Sequence, residues 1–162
     1  MVQVPSNRSW MMHGTLGAVL VVVSLLADLG HGARFRGHEY KVFMKEKVTF
    51  DEAEKACKAQ KGHLASIHSK EENDFIYGLA KKSLPKVNHD DLCWIGLRKS
   101  PKGWTWTDGS STNYTNWAPG QPNNVNKAEN CAQLYNVDNF KSPKKWNDYP
   151  CTKKVCGYVC KI

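Results

Sequence analysis

All six cysteines of this 162-residue chain lie after residue 56, at Cys57, Cys93, Cys131, Cys151, Cys156 and Cys160, and an apolar run lies at the opposite end. An even cysteine count behind a secretory leader reads as a disulfide framework, with the connectivity left open by sequence alone. No histidine stands at ligand spacing from a cysteine pair, which argues against structural zinc. The leader has the expected parts. Arg8 sits in a short polar region, Leu16 to Ala27 is an apolar core, and Gly30, Gly32 and Ala33 are small. This predicts a signal peptide over residues 1–32. The apolar run falls short of the roughly 20 residues a membrane span needs, so the chain is expected to be secreted and extracellular, not membrane-spanning. An uncleaved signal-anchor is the alternative.

Cleavage near Gly32 leaves a chain of one-domain size. The formal charge is +8, and Arg8 and Asp28 cancel within the leader. A basic secreted domain is drawn to anionic surfaces such as sulfated or sialylated glycans. The lysines are scattered, however, and Lys141, Lys144 and Lys145 form the one tight cluster. No nucleic-acid partner is expected.

Local patterns divide the chain into strand, two helices, then short strands. Glu39 to Met44 is rich in Tyr, Val and Phe and reads as a strand. Thr49-x-x-Glu52 is a capping box, followed by Ala53, Ala56 and Cys57 on one helical face, with Gly62 as the stop. Ser69-x-x-Glu72 is a second capping box, followed by the stripe Phe75, Ile76, Leu79 and Ala80 in a helix that ends before Pro85. Cys93 to Leu97 reads as a buried strand and Trp104 to Trp106 as an alternating one, with a turn at Asp108-Gly109. Residues 110–130 are dominated by Ser, Thr, Asn, Gly and Pro without periodicity. A loop that long in a compact domain is usually functional. Cys131 to Tyr135, Lys145 to Trp146 and Val155 to Lys161 complete an α+β pattern.

The long loop and the chain beyond it carry five side-chain oxygen donors: Gln121, Asn123, Glu129, Asn147 and Asp148. Oxygen donors without His or Cys suit Ca²⁺, which takes about six to eight oxygens.

At this point the motifs resemble a family. Trp94-Ile95-Gly96-Leu97, Asn116-Trp117, Gln121-Pro122-Asn123, Glu129-Asn130-Cys131, Trp146-Asn147-Asp148 and Tyr158-Val159-Cys160 occur in the order found in the C-type lectin-like domain. The resemblance covers nearly all of the chain after the leader and places the domain at residues 38–162. It implies an α+β fold in which two helices flank short antiparallel sheets, with a long calcium-binding loop and stabilising disulfides. It implies bridges Cys57–Cys160 and Cys131–Cys151. Cys93 and Cys156 lie outside the usual four-cysteine pattern and are expected to tie the Trp94 strand to the last strand; two buried thiols are the alternative.

The resemblance further implies a cis bond before Pro122. It makes Gln121, Asn123, Glu129, Asn147 and Asp148 the metal ligands, with the Asp148 carbonyl as a sixth. Of these, Gln121, Asn123, Glu129 and Asn147 would also contact two adjacent sugar hydroxyls. The motif departs from both common forms, Glu-Pro-Asn and Gln-Pro-Asp, because it has two amides and no acid. A site charge of −2 predicts weak calcium binding, about 10⁻⁴ to 10⁻³ M. Asn124-Val125-Asn126 offers no stacking Trp, which tilts the expectation from galactose-type toward mannose-type glycans. Lys99, Asn124 and Asn130 stand where an auxiliary calcium site would need acids, so a single calcium is expected.

Asn113-Tyr114-Thr115 is an N-glycosylation sequon, and Asn7-Arg8-Ser9 is another within the leader. His63 and His68 are read as packing or capping residues. Trp94, Trp104, Trp106 and Trp117 are read as core. No nucleophile–histidine pair, zinc helix or catalytic acid pair appears outside the calcium set, so no enzyme activity is expected. The competing function is a calcium-independent interaction domain of the same fold, binding protein or anionic glycan through its basic surface.

Overall fold

The computed structural model describes residues 31–83, 92–135 and 142–162. Residues 1–30 of the leader with the Asn7 sequon, the Pro85 stop and Lys141 lie outside the described residues. The chain opens with a hairpin, β1 (His31–Phe35) and β2 (His38–Val48), followed by α1 (Phe50–Ala59), the two-residue β3 (His63–Leu64) and α2 (Lys70–Ser83). Then come β4 (Cys93–Ser100), β5 (Gly103–Trp106), β6 (Cys131–Leu134), β7 (Trp146–Tyr149) and β8 (Val155–Lys161). The α+β class and the two helices are as expected. The strands, however, form one eight-stranded sheet in the order β1-β2-β8-β4-β6-β7, with β3 on β8 and β5 on β4. The β4–β8 pairing is parallel, so the sheet is mixed, not purely antiparallel.

Two boundaries differ from the sequence reading. The sheet begins ahead of residue 38, because β1 pairs antiparallel with β2, and a cut after Gly32 falls inside β1. The capping box at Thr49 is complete: Glu52 N–H donates to Thr49 Oγ1 at 3.3 Å, and Thr49 N–H to Glu52 Oε2 at 2.8 Å. At the other end of α1 the left-handed residue is Lys61, with φ 63°, and not Gly62. Gly62 answers to close packing instead, since a Cβ there would stand 2.2 Å from the Lys161 carbonyl oxygen.

Only half of the second capping box forms. Glu72 N–H donates to Ser69 Oγ at 3.1 Å. The Glu72 carboxylate turns inward to Tyr40, to Lys161 Nζ at 2.7 Å and to the His68 N–H at 2.7 Å.

The sheet separates two apolar clusters. Tyr40, Ile76, Ile95, Leu97, Leu134, Trp146 and Val159 pack on the α2 side, and Phe50, Leu64, Trp94, Tyr158 and Cys160 on the α1 side. Burying each large side chain contributes about 1.5–3 kcal/mol. Cys57–Cys160 ties α1 to β8 across 103 residues, and Cys131–Cys151 ties the start of β6 to the chain just past β7. Both bridges match the expectation.

The expected third bridge does not form: Cys93 and Cys156 remain thiols. Register is the reason. Cys93 stands opposite Gly157, so strand alternation turns Cys156 to the other face of the sheet.

Candidate functional site

The five predicted ligands are positioned by one hairpin and one loop. In the hairpin, Ala132 pairs with Asp148 and Gln133 with Asn147. The Cys131–Cys151 bridge clamps this hairpin at the end where Glu129 leads into β6. Trp146 pins it from below. Its indole N–H donates to Asn73 Oδ1 at 2.7 Å, and the rings of Trp106, Tyr114 and Trp117 surround it at 5.6 to 5.8 Å. Trp104 and Trp117 are half-buried against this core, while Trp94 and Trp106 are buried.

The loop reaches the hairpin through short links. Ala118 N–H donates to the Trp146 carbonyl at 2.9 Å, and Gln121 N–H to the Ala118 carbonyl at 2.9 Å. The Gln121–Pro122 bond is cis, as expected. The chain then curls through a 3-10 turn at Val125–Lys127, with Asn124 and Asn126 left-handed at φ 49° and 54°. Asparagine is among the few residues that enter this region readily.

Hydrogen bonds gather four of the five donors on this curl. Asp148 is fully buried, and its two carboxylate oxygens accept from the N–H of Asn123 at 3.1 Å and of Asn124 at 2.7 Å. Glu129 Oε2 accepts from Val125 N–H at 2.9 Å. Gln121 Oε1 accepts from Asn123 N–H at 3.1 Å, and Asn123 Oδ1 from Val125 N–H at 3.3 Å. Asn147 stands apart, since alternation along β7 turns it to the face opposite Asp148, where its Nδ2 donates to Gln133 Oε1 at 3.2 Å. That leaves the Asn147 oxygen available as an acceptor.

Sequence reasoning missed three residues here. Asn124 Oδ1 accepts from Glu129 N–H at 3.1 Å, and buried Gln133 holds Asn147. Tyr135 lies near the carboxylates: burial, then the charges of Asp148 and Glu129, push its hydroxyl pKa up. A glutamine in the middle of an apolar strand was the one available signal for Gln133.

Electrostatically the site is a pair of uncompensated acids. Burial pushes the Glu129 carboxyl up, the Val125 N–H pulls it down, and the charge of Asp148 adds to the rise. Among the described residues no Lys or Arg forms an ion pair with either acid. Nor is there a cluster of three or more His, Cys, Asp or Glu among them. Any cation here would rest on two carboxylates and amide oxygens, an all-oxygen set that fits a hard divalent ion. Each carboxylate keeps lone pairs beyond those its N–H donors occupy. Asn113 is exposed, consistent with an accessible sequon.

The family model described as "Lectin C-type domain" matches residues 46–162. Over 131 residues the chain is 40% identical to snaclec bitiscetin subunit alpha of Bitis arietans, covering 78% of this chain and 88% of that one. Over 128 residues it is 38% identical to a C-type lectin mannose-binding isoform of Oxyuranus scutellatus, covering 76% of each. Among solved structures it is similar to the cow C-type carbohydrate-recognition domain of CD23, determined with a GlcNAc2Man3 oligosaccharide. That match has a TM-score of 0.66 and 32% identity, covering 81% of this chain and 92% of that one. These relatives mark a binding protein and not an enzyme. The chain belongs to the C-type lectin domain family.

Proposed function

We propose that this protein is a secreted, calcium-dependent carbohydrate-binding lectin that holds two neighbouring sugar hydroxyls on a single calcium. Gln121, Asn123, Glu129 and Asp148 supply the gathered protein oxygens, Asn147 leaves its Gln133 contact to join them, and Gln121, Asn123, Glu129 and Asn147 also contact the sugar. The observation that carries this reading is the buried Glu129–Asp148 pair, two acids with which no Lys or Arg among the described residues forms an ion pair. A divalent ion would offset the burial, and secondarily the Asp148 charge, that raise the Glu129 carboxyl. Secretion is supported by the leader-like N-terminal segment and the two disulfides. Mannose-type sugars are favoured over galactose-type ones. The loop carries Val125, 49% exposed, where a stacking aromatic would stand, and one relative is named as mannose-binding. Retention on mannose- and galactose-agarose tests the reading: binding should require calcium and be released by EGTA. Retention indifferent to EGTA would overturn it.

The competing reading, a calcium-independent interaction domain, is favoured by one observation. Both Asp148 oxygens already have backbone donors, so the curl has protein hydrogen bonds to hold it without metal.

A further inference from the structure

Trp146 has the candidate cation site on one side along the chain and a lysine pair on the other. Lys144 and Lys145 precede it; Asn147 and Asp148 come after it. The two lysines join Lys70 and Asp74 of α2 and Tyr114 and Asn116 of the loop around a cleft of about 450 Å³. That volume is in the range of small-molecule sites.

The cleft is held in shape by backbone and amide bonds. Asn73 Nδ2 and Asn116 Nδ2 both donate to the Lys144 carbonyl, at 2.9 and 2.7 Å. Trp146 N–H donates to the Asn116 carbonyl at 2.9 Å, and the Tyr114 ring packs edge-on against Trp146.

Its charge is unbalanced. Lys70 and Lys144 share the single Asp74 carboxylate, at 2.6 and 3.1 Å, and Lys145 Nζ donates to Asn116 Oδ1 at 2.7 Å. Among the described residues, three ammonium groups thus face one carboxylate inside the cleft. Glu71, exposed and next along α2, adds a second negative charge outside it. An ammonium has three donors, so each of these lysines keeps N–H groups for a ligand.

The residue types narrow the ligand. All the cations are lysines, which act as point charges and lack the planar fork with which arginine matches a carboxylate. A tetrahedral anion suits three converging ammonium groups. The half-buried Tyr114 offers an aromatic face and Asn116 a polar group, as a sugar ring with hydroxyls requires.

We propose that this cleft is a second, calcium-independent site for a sulfated saccharide, with the sulfate ester among Lys70, Lys144 and Lys145 and the ring against Tyr114 and Asn116. The assignment does not depend on the calcium reading, because none of the six residues is a predicted calcium ligand.

The test is a titration of the full secreted protein with a heparin-derived tetrasaccharide and its fully desulfated counterpart, in EGTA and at two salt concentrations. Asn113 adjoins Tyr114, so glycosylated and enzymatically deglycosylated protein are both used. The deglycosylated protein should bind the sulfated probe in EGTA, more weakly as salt rises, and should not bind the desulfated one. Replacing the three lysines together (Lys70→Gln, Lys144→Gln, Lys145→Gln) should weaken binding about tenfold, the order expected from losing three screened charge contacts. A control triple at exposed lysines elsewhere (Lys55→Gln, Lys153→Gln, Lys154→Gln) lowers net charge equally and should change affinity less than about twofold. Circular dichroism should show all variants folded, as expected for solvent-facing changes such as Lys70, whose side chain is 76% exposed. Equal loss in both triples would overturn the assignment by making net charge the cause. So would binding that disappears in EGTA, or equal affinity for the desulfated probe.

Discussion

Two buried carboxylate sites in this molecule are built in opposite ways. At Glu72 the counter-charge is part of the fold. Burial opposes ionisation there, yet Lys161, the Tyr40 hydroxyl and the His68 N–H together hold the carboxyl below its ordinary range. At Glu129 and Asp148 no Lys or Arg among the described residues forms an ion pair. Backbone N–H groups hold the carboxylates in place without neutralising them, and the Glu129 carboxyl is pushed up. The first arrangement is complete within the chain and serves stability. The second carries an electrostatic cost, and under the proposed function an external dication would offset it.

The comparison can be broken most sharply at Glu72. Replacing it (Glu72→Gln) leaves the Lys161 ammonium with Ser66 and the Tyr40 ring but no carboxylate, and should cost about 3 kcal/mol in chemical denaturation. The pH dependence has a definite sign. The folded pKa of Glu72 is depressed, so its contribution is complete above the ordinary glutamate value of about 4.3 and is lost as pH falls through the lower folded value. Denaturation curves of the Glu72→Gln variant should lack that acid-side loss.

Smaller effects belong to the other site. Asp148→Asn removes one of two acceptors for backbone N–H groups and should cost about 1–2 kcal/mol without calcium. Calcium at about 10 mM should stabilise the native chain by about 1.5 kcal/mol if its Kd is near 10⁻³ M, and EGTA should reverse the gain. The smallest effect is the most diagnostic. Glu129→Gln keeps an acceptor for Val125 N–H and removes a repelled charge, so the calcium-free protein should change by less than about 0.5 kcal/mol or become more stable. A loss as large as that of Glu72→Gln would erase the distinction between the two sites.

Much of this was legible because it is local or motif-like. Thr49-x-x-Glu52 caps a helix whatever lies beyond it, and Gln121 to Asp148 carries its donor types in plain view. The remainder depends on partners distant along the chain. Glu72 looks like a capping residue until β8 delivers Lys161, 89 positions later, to its carboxylate. Cys93 and Cys156 look like a pair until the parallel register of β4 and β8 sends their side chains to opposite faces. Gly62 looks like a helix stop until the Lys161 carbonyl is found against it. Within the candidate site, the oxygen-bearing side chains are visible in the sequence, whereas the separation of Asn147 onto the Gln133 face needed the β6–β7 register.

Calorimetric titration of calcium into the native chain and into Glu129→Gln tests the central claim most directly. A single calcium binding with a Kd of about 10⁻⁴ to 10⁻³ M in the native chain, and none in the variant, is the predicted result. No binding to the native chain across that range, or unchanged binding in the variant, would contradict it.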